Sequence, residues 1–324
     1  MLSQVGKHEL YERVRKVVTE PEMTLAWPLI AEIRELKRAR EAVILAHNYQ
    51  HPLIFHGVAD LRGDSLQLAR LAQEVEARTL VMCGVHFMAE TAKLLSPKRS
   101  VLLPSFEAGC SLADAITPED VRALRRQYPG VPVVSYVNTT AAVKAVSDVC
   151  CTSSNALKIV EALGSPRVIF VPDRHLAGHV ARQTEVEIIT WEGGCVVHEE
   201  FRLADIEALR ASYPQIKVIA HPECHAEVQE AADMVGSTSA LIDWVAQEKP
   251  REVAMITECT MSDNVASHFP EVAFHQPCSI CPYMRKITLE GIRDVLRDGS
   301  GQVEIAPTIA AGARRAVARM LELS

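Results

Sequence analysis

Apolar and polar positions fall in blocks along this chain, and the blocks recur. Short β-branched runs at residues 43–46, 131–134 and 216–220 each break off into polar residues. These are His47, Asn48 and Tyr49 in the first copy, Ser135, Tyr136 and Asn138 in the second, and His221, Pro222 and Glu223 in the third. A small, hydroxyl-rich turn follows each time: Gly63, Asp64 and Ser65; Thr152, Ser153 and Ser154; Gly236, Ser237 and Thr238. A second apolar run comes next, over residues 79–83, 167–171 and 252–256, and then a third, over 101–103, 187–190 and 272–274. Helical spacing marks residues 58–72, 141–149, 155–163, 203–213 and 226–234, and residues 7–18 read as an amphipathic helix. Strands that are apolar throughout, with helices between them, favour parallel sheets covered on both faces. The expected fold class is therefore α/β, with three similar α/β/α sandwich domains and parallel sheets around a pseudo-threefold axis. Residues 1–112 would form the first repeat with N-terminal helices, 113–197 the second, and 198–324 the third with C-terminal helices.

Each copy closes on a cysteine. Cys110, Cys195 and Cys281 stand at intervals of 85 and 86 residues, and lie 45, 42 and 44 residues beyond Ser65, Ser153 and Ser237. A repeat that delivers one thiolate per copy can place three sulfurs around one point. That is a metal or iron–sulfur site with one coordination position open. The competing reading is three buried thiols acting as small hydrophobes. Gly109 and Gly194 favour the ligand reading, because glycine lets a loop approach a bulky cofactor. Cys278 and Cys281 form a C-x-x-C pair, which also suits half a zinc knuckle or a redox pair. The repeat selects Cys281 as the ligand, with Cys278 as the alternative. Cys83, Cys150, Cys151, Cys224 and Cys259 have no counterparts in the other copies and read as core thiols.

Composition narrows the field. A chain of 324 residues with 48% hydrophobic content supports two or three domains and a sizeable core. No apolar run approaches the roughly 20 residues of a membrane span, and no signal-like pattern opens the chain. The expected compartment is the cytoplasm, where the nine cysteines would be reduced. A net charge of −7 without a long basic block argues against nucleic acid as a partner. An anionic ligand would need local positive potential. The hydroxyl turns offer it if they open helices, with Ser65, Ser153, Ser237 and Thr238 as donors, although simple N-capping explains such residues equally well. His47, Tyr49, Tyr136, Asn138, His221 and Glu223 follow apolar strands. Ligands bind beyond the carboxyl ends of parallel strands, and burial can tune such groups to move protons.

The ordered motifs Ala46-His-Asn-Tyr-Gln50, Gly63-Asp-Ser-Leu66, Phe87-Met-Ala-Glu-Thr-Ala-Lys93, Ser135-Tyr-Val-Asn-Thr139, Thr152-Ser-Ser-Asn-Ala156, Trp191-Glu-Gly-Gly-Cys-Val-Val-His198, His221-Pro-Glu223, Val235-Gly-Ser-Thr-Ser239 and Cys281-Pro-Tyr-Met284 together resemble the quinolinate synthase family. The likeness runs from about residue 40 to residue 285. It implies an iron–sulfur enzyme of NAD biosynthesis that condenses iminoaspartate with dihydroxyacetone phosphate to quinolinate, phosphate and water. It implies a [4Fe-4S] cluster on Cys110, Cys195 and Cys281, with one open iron as a Lewis acid. It places substrate contacts at His47, Tyr49, Ser65, Tyr136, Asn138, Ser153, His198, His221, Glu223, Ser237 and Thr238. Among these, Glu223 is the main acid/base, His221 its neighbour, and Tyr49 an aid in the early steps on the triose. It also implies supply of iminoaspartate by L-aspartate oxidase or aspartate dehydrogenase. Some members carry C-x-x-C-x-x-C near the third ligand; this chain has only C-x-x-C, so no redox-switch role carries over to Cys278.

Other classes remain in view. A different threefold [4Fe-4S] enzyme, such as a reductase of an allylic diphosphate, would also use three cysteines and an open iron. An iron–sulfur electron carrier or sensor usually closes the fourth position. A zinc-stabilised binding module would use Cys278 and Cys281.

Overall fold

In the computed structural model, which describes residues 5–324, the strands form three parallel four-stranded sheets of one topology. The first contains β1 (Ala42–His47), β2 (Leu61–Gly63), β3 (Thr79–Cys83) and β4 (Ser100–Leu102). The second contains β5 (Val133–Tyr136), β6 (Val149–Cys151), β7 (Arg167–Val171) and β8 (Glu187–Thr190). The third contains β9 (Lys217–Ala220), β10 (Met234–Val235), β11 (Glu252–Ile256) and β12 (Ala273–His275). In each sheet the opening strand lies between the second and third, and the fourth lies outside the third. The strand order therefore reverses beside β1, β5 and β9. That crevice is where doubly wound sheets bind ligands. The α/β class and the threefold repeat read from the sequence are what the chain adopts.

The expected strands at 79–83, 167–171, 187–190 and 252–256 match β3, β7, β8 and β11, and the other long strands shift by one or two residues. Three helix expectations need correction, all in the same way. Residues 58–72 contain β2 and then the helix Ser65–Glu74. Residues 141–149 divide into the helix Ala141–Ala145 and the start of β6. Residues 226–234 divide into the helix Ala226–Ala231 and the start of β10. A strand of two or three residues carries no periodicity of its own, so its apolar positions merge with the adjacent helical pattern. What fixes these edge strands is an aspartate just before each one. Asp60, Asp148 and Asp233 accept hydrogen bonds from the backbone N–H groups of Ile44, Val133 and Val218 at 2.9, 2.7 and 2.8 Å. Each aspartate N–H donates back to the carbonyl of that same residue. Each acid also meets a base: Lys37, Arg125, or the pair Arg210 and Lys217. The same device, repeated three times, pins the edge strand to the centre of its sheet.

The central strands are buried along nearly their whole length, as expected for sheets with helices on both faces. One continuous core joins the first two repeats, and the helix Pro307–Leu323 packs into it against the helices Ala141–Ala145 and His86–Leu95 and against β6. The helix Leu289–Asp298 packs on the long helix Glu20–Ala39. The helices that follow the third sheet in sequence thus cover the first two sheets in space. The third sheet has its own two clusters, one on each face. Removing a fully buried aromatic such as Phe170 would cost about 3–5 kcal/mol.

Candidate functional site

The polar ends of β1, β5 and β9 meet at a partly open cavity, about 710 Å³ of empty space with the adjoining open solvent included. All three repeats contribute to its wall. Cys110, Cys195 and Cys281 line one end. Each lies on the loop that closes its own repeat: Cys110 after β4, Cys195 after β8, and Cys281 after β12. The thiols are mostly buried, and burial raises all three above the ordinary range; Cys110 is pushed up to about 12. The other free cysteines, Cys83, Cys150, Cys151 and Cys224, are buried away from the cavity lining. They are the core thiols the sequence suggested. Cys259 is not one. It forms a disulfide with Cys278, their Cα atoms 5.2 Å apart, because the first turn of the helix Cys259–Ala266 lies against the loop that carries Cys278. This corrects the expectation of reduced cysteines throughout. It also leaves Cys281 as the free thiol of the C-x-x-C pair and removes the zinc module built on both.

Between the cysteines and the far wall stand the strand-end residues. His47 and His221 adopt the same posture: each ring Nδ1 accepts the backbone N–H two residues on, from Tyr49 at 3.2 Å and Glu223 at 3.4 Å. Burial lowers His47 to about 4 and His221 to about 3, so both rings are neutral at pH 7. With Nδ1 accepting, the proton sits on Nε2, a donor for an oxyanion. His198 stacks on His221, with centroids 4.6 Å apart. Its Nδ1 lies 2.9 Å from Glu223 Oε2 and 3.2 Å from Cys195 Sγ. Tyr136 donates to Glu223 Oε1 at 2.5 Å. His198 Nε2 pairs with Thr257 Oγ1 at 3.0 Å, and Thr257 pairs with the Tyr49 hydroxyl at 2.7 Å.

The result is one chain of hydrogen bonds, Tyr49–Thr257–His198–Glu223–Tyr136, that crosses all three repeats. Burial alone would favour a protonated Glu223. The hydrogen bonds from His198 and Tyr136 oppose it and hold the carboxyl below its usual range. Burial, with the Glu223 charge, pushes both tyrosines well above theirs. Thr257 was not among the residues read from the sequence. The signal was available: it is the polar residue that directly follows the centre strand β11.

The hydroxyl turns form the opposite end. Ser65, Ser153, Ser154 and Thr238 line it, together with Asp64. Ser65 opens the ten-residue helix Ser65–Glu74 and Thr238 the eleven-residue helix Thr238–Glu248. Ser237 takes the capping role: its hydroxyl accepts from the Ala240 N–H, and it does not line the cavity. Asn138 lines the cavity with its side-chain oxygen buried and unpartnered. A buried acceptor without a donor is costly unless a ligand supplies one. No lysine or arginine lines the cavity among the described residues. Lys144 is a fully buried cation outside the lining. It donates to the Thr139 carbonyl and sits 5.4 Å from the ring of Phe87, which forms part of the wall. Every other candidate residue from the sequence lines this one space.

The donor set fits an iron–sulfur cluster held at three corners. Three free thiols from three loops line one cavity, no fourth lines it among the described residues, and a carboxylate and an imidazole lie beside them. Among the described residues, Cys195, His198 and Glu223 also offer ligand atoms within 4.8 Å of one another.

The model of the quinolinate synthetase A protein family matches residues 31–322. A quinolinate synthase of Agrobacterium fabrum is 57% identical over 320 residues, covering 99% of this chain and 93% of its own. That of Xylella fastidiosa is 58% identical, covering 91% and 87%, and that of Caulobacter vibrioides 51% identical, covering 97% and 87%. No helix among the described residues is long and apolar enough to cross a membrane.

Proposed function

The chain belongs to the quinolinate synthetase A protein family, and from that premise we propose that it condenses iminoaspartate with dihydroxyacetone phosphate to give quinolinate, phosphate and two waters. Cys110, Cys195 and Cys281 would hold a [4Fe-4S] cluster. When bound, the cluster supplies a Lewis-acid iron with one open position. The rest of the chemistry falls to side chains of this chain.

Both substrates are anions. Ser65, Ser153 and Thr238 grip phosphate and carboxylate oxygens at the hydroxyl end, and the Nε2–H groups of His47 and His221 donate from the side. Asn138 supplies an acceptor or an amide donor where its oxygen stands free. Carbon–carbon bond formation, tautomerisation and two dehydrations each need a proton moved. Glu223 is the group placed to do this. It is ionised, buried, and held by Tyr136 on one oxygen and His198 on the other, so it can take a proton from carbon and return it to a departing hydroxyl. Tyr49 relays through Thr257 and assists on the triose. The phosphate would leave toward the hydroxyl turns, away from Glu223. L-aspartate oxidase or aspartate dehydrogenase would supply the short-lived imine.

One observation carries this reading: three thiols, one from each repeat, line the same cavity as the network centred on Glu223. The test is anaerobic reconstitution followed by iron, sulfide and product analysis. About four irons per chain and formation of quinolinate from the two substrates are expected. One zinc and no product would sink the proposal.

A further inference from the structure

We propose that Asp64 is a positioning residue: its carboxylate clasps the second and third repeats onto the first and holds the hydroxyl end of the cavity closed. The proposal rests on the functional reading above only in taking that end as the place where a substrate anion binds; the clasp itself stands on geometry alone.

Pseudo-symmetry is broken at this point. The three turns read Gly-Asp-Ser, Thr-Ser-Ser and Gly-Ser-Thr, and only the first carries an acid. Asp64 is 7% exposed and uses both oxygens. Oδ1 accepts from the Gln67 N–H at 2.9 Å, which caps its own helix. Oδ2 accepts from the Ser154 hydroxyl of the second repeat at 3.1 Å and the Ser239 hydroxyl of the third at 2.6 Å. One oxygen thus serves the local helix and the other joins the three repeats. Hydrogen bonds to an ionised acceptor are about twice as strong as neutral ones, and a carboxylate has acceptor sites enough for all three donors. An alanine here would offer none.

The arrangement also sorts the hydroxyls. Each has one proton to give. Ser154 and Ser239 give theirs to Asp64. Thr238 receives a hydrogen bond from Asn48 Nδ2 at 3.1 Å, which leaves its own proton free. Ser65 and Ser153 line the cavity with no side-chain partner among the described residues. The clasp therefore uses the hydroxyls of Ser154 and Ser239 and leaves those of Ser65, Ser153 and Thr238 for a ligand. It also explains how an anion pocket tolerates a carboxylate in its wall: three donors face that charge. When the clasp breaks, the turns lose their registration and the mouth of the cavity widens.

The test uses the full-length chain, reconstituted anaerobically, and compares Asp64→Ala, Asp64→Asn and the double variant Ser154→Ala/Ser239→Ala. The double variant removes the clasp and leaves the helix cap intact. Backbone hydrogen exchange at residues 63–67, 152–156 and 237–241 is read first, since it needs neither cluster nor turnover. The expected result is about tenfold faster exchange in all three turns, in the double variant as in Asp64→Ala. The KM for dihydroxyacetone phosphate should rise more than kcat falls, and Asp64→Asn should retain part of the native behaviour. The proposal is overturned if the double variant exchanges like the native chain while Asp64→Ala speeds exchange only within residues 65–74, for Asp64 would then be a cap and nothing more. If Asp64→Ala does not fold, the double variant decides alone. A native chain that forms no quinolinate, with the exchange pattern as expected, would sink the functional reading and leave the clasp standing.

Discussion

The two ends of the cavity are built on opposite principles. At the hydroxyl end the three repeats reach across to one another, and Asp64, Ser154, Ser239, Asn48 and Thr238 satisfy each other's hydrogen bonds. At the thiol end each cysteine sits on its own loop. Ser111, which accepts from the Val196 N–H and donates to the Gly194 carbonyl, joins two of the three loops. Apolar side chains beside the cysteines, Phe106, Val196 and Ile280, are exposed by 54%, 42% and 45%. Burial has raised all three thiols, which makes them poor nucleophiles and poor ligands until a metal takes their protons. One end is tied together by hydrogen bonds between protein groups. The other calls for a guest, and much of the order of its loops should come from that guest.

The largest effect should come from breaking the thiol end. Replacing Cys110, Cys195 or Cys281 singly with alanine should take the iron content from about four per chain to near zero, while Cys83→Ala keeps it. Far-ultraviolet circular dichroism should stay near native in all four, because Cys110, Cys195 and Cys281 lie on loops and Cys83→Ala removes a single buried sulfur from the end of β3. Equal iron in the four variants would refute the assignment. Removing the metal from the native chain should have a matching, local consequence. Hydrogen exchange should quicken at residues 105–111, 193–198 and 279–284 and hold steady at the three hydroxyl turns. Uniform quickening would mean that the two ends are not independent.

Next in size is the middle of the cavity. Glu223→Gln keeps the shape of the network and removes its base. Quinolinate formation should fall by about 10²–10⁴-fold with iron content unchanged. Near-native turnover would show that protons travel another way. Tyr136→Phe, which deletes one hydrogen bond to the same carboxylate, should cost less.

How much of this was legible beforehand differs between the two ends. The thiols were, because a cysteine that recurs every 85 or 86 residues breaks an otherwise apolar background. The strand-end histidines, tyrosines and Glu223 were legible for the same reason: a polar residue straight after a buried strand stands out. The clasp was not. Asp64 to Ser239 spans 175 residues, and a hydrogen bond across that separation leaves no period to read. Ser239 looks like any helix-opening serine until the fold brings it to the carboxylate. The edge strands β2, β6 and β10 were hidden by brevity, although the aspartate before each, at 60, 148 and 233, was a repeat signal in plain sight. The disulfide lay beyond reach for a third reason. A cytoplasmic reading of the composition argued against it, and only the approach of the helix Cys259–Ala266 to the loop at Cys278 shows it.

A baseline for both ends comes from a site that belongs to neither. His56 is buried between the helices Pro52–Phe55 and Cys259–Ala266 and is lowered to about 3, first by burial and then by Arg62, His268 and Arg13. Its folded pKa lies below its unfolded value of about 6.5. Stability is therefore full above that value and is lost as pH falls toward 3, because the unfolded chain takes up the proton first. At pH 5 the loss from this group amounts to about 2 kcal/mol. His56→Gln should flatten the acid limb of a urea-unfolding series between pH 6.5 and 4 and leave the KM for both substrates unchanged. An acid limb of native steepness would mean that the ring is solvated or charged in the folded chain.

The smallest effect should appear at the hydroxyl end, and its smallness is informative. Ser65→Ala removes one of three inward hydroxyls and leaves the Asp64 clasp and the cap on Gln67 in place. With Ser153 and Thr238 still donating, about 1 kcal/mol should be lost, or roughly a fivefold rise in KM. That rise should fall on the substrate whose anion the turn holds and spare the other, so the two KM values are measured separately at saturating co-substrate. Ser65→Ala/Ser153→Ala should then cost more than the two single losses added, because a buried anion left with one donor is worse off than one left with two. Iron content should not change in either variant, since no hydroxyl of these turns touches a cluster thiol. If iron content fell along with affinity, the separation of the ends would fail, and the cavity would have to be treated as a single cooperative unit.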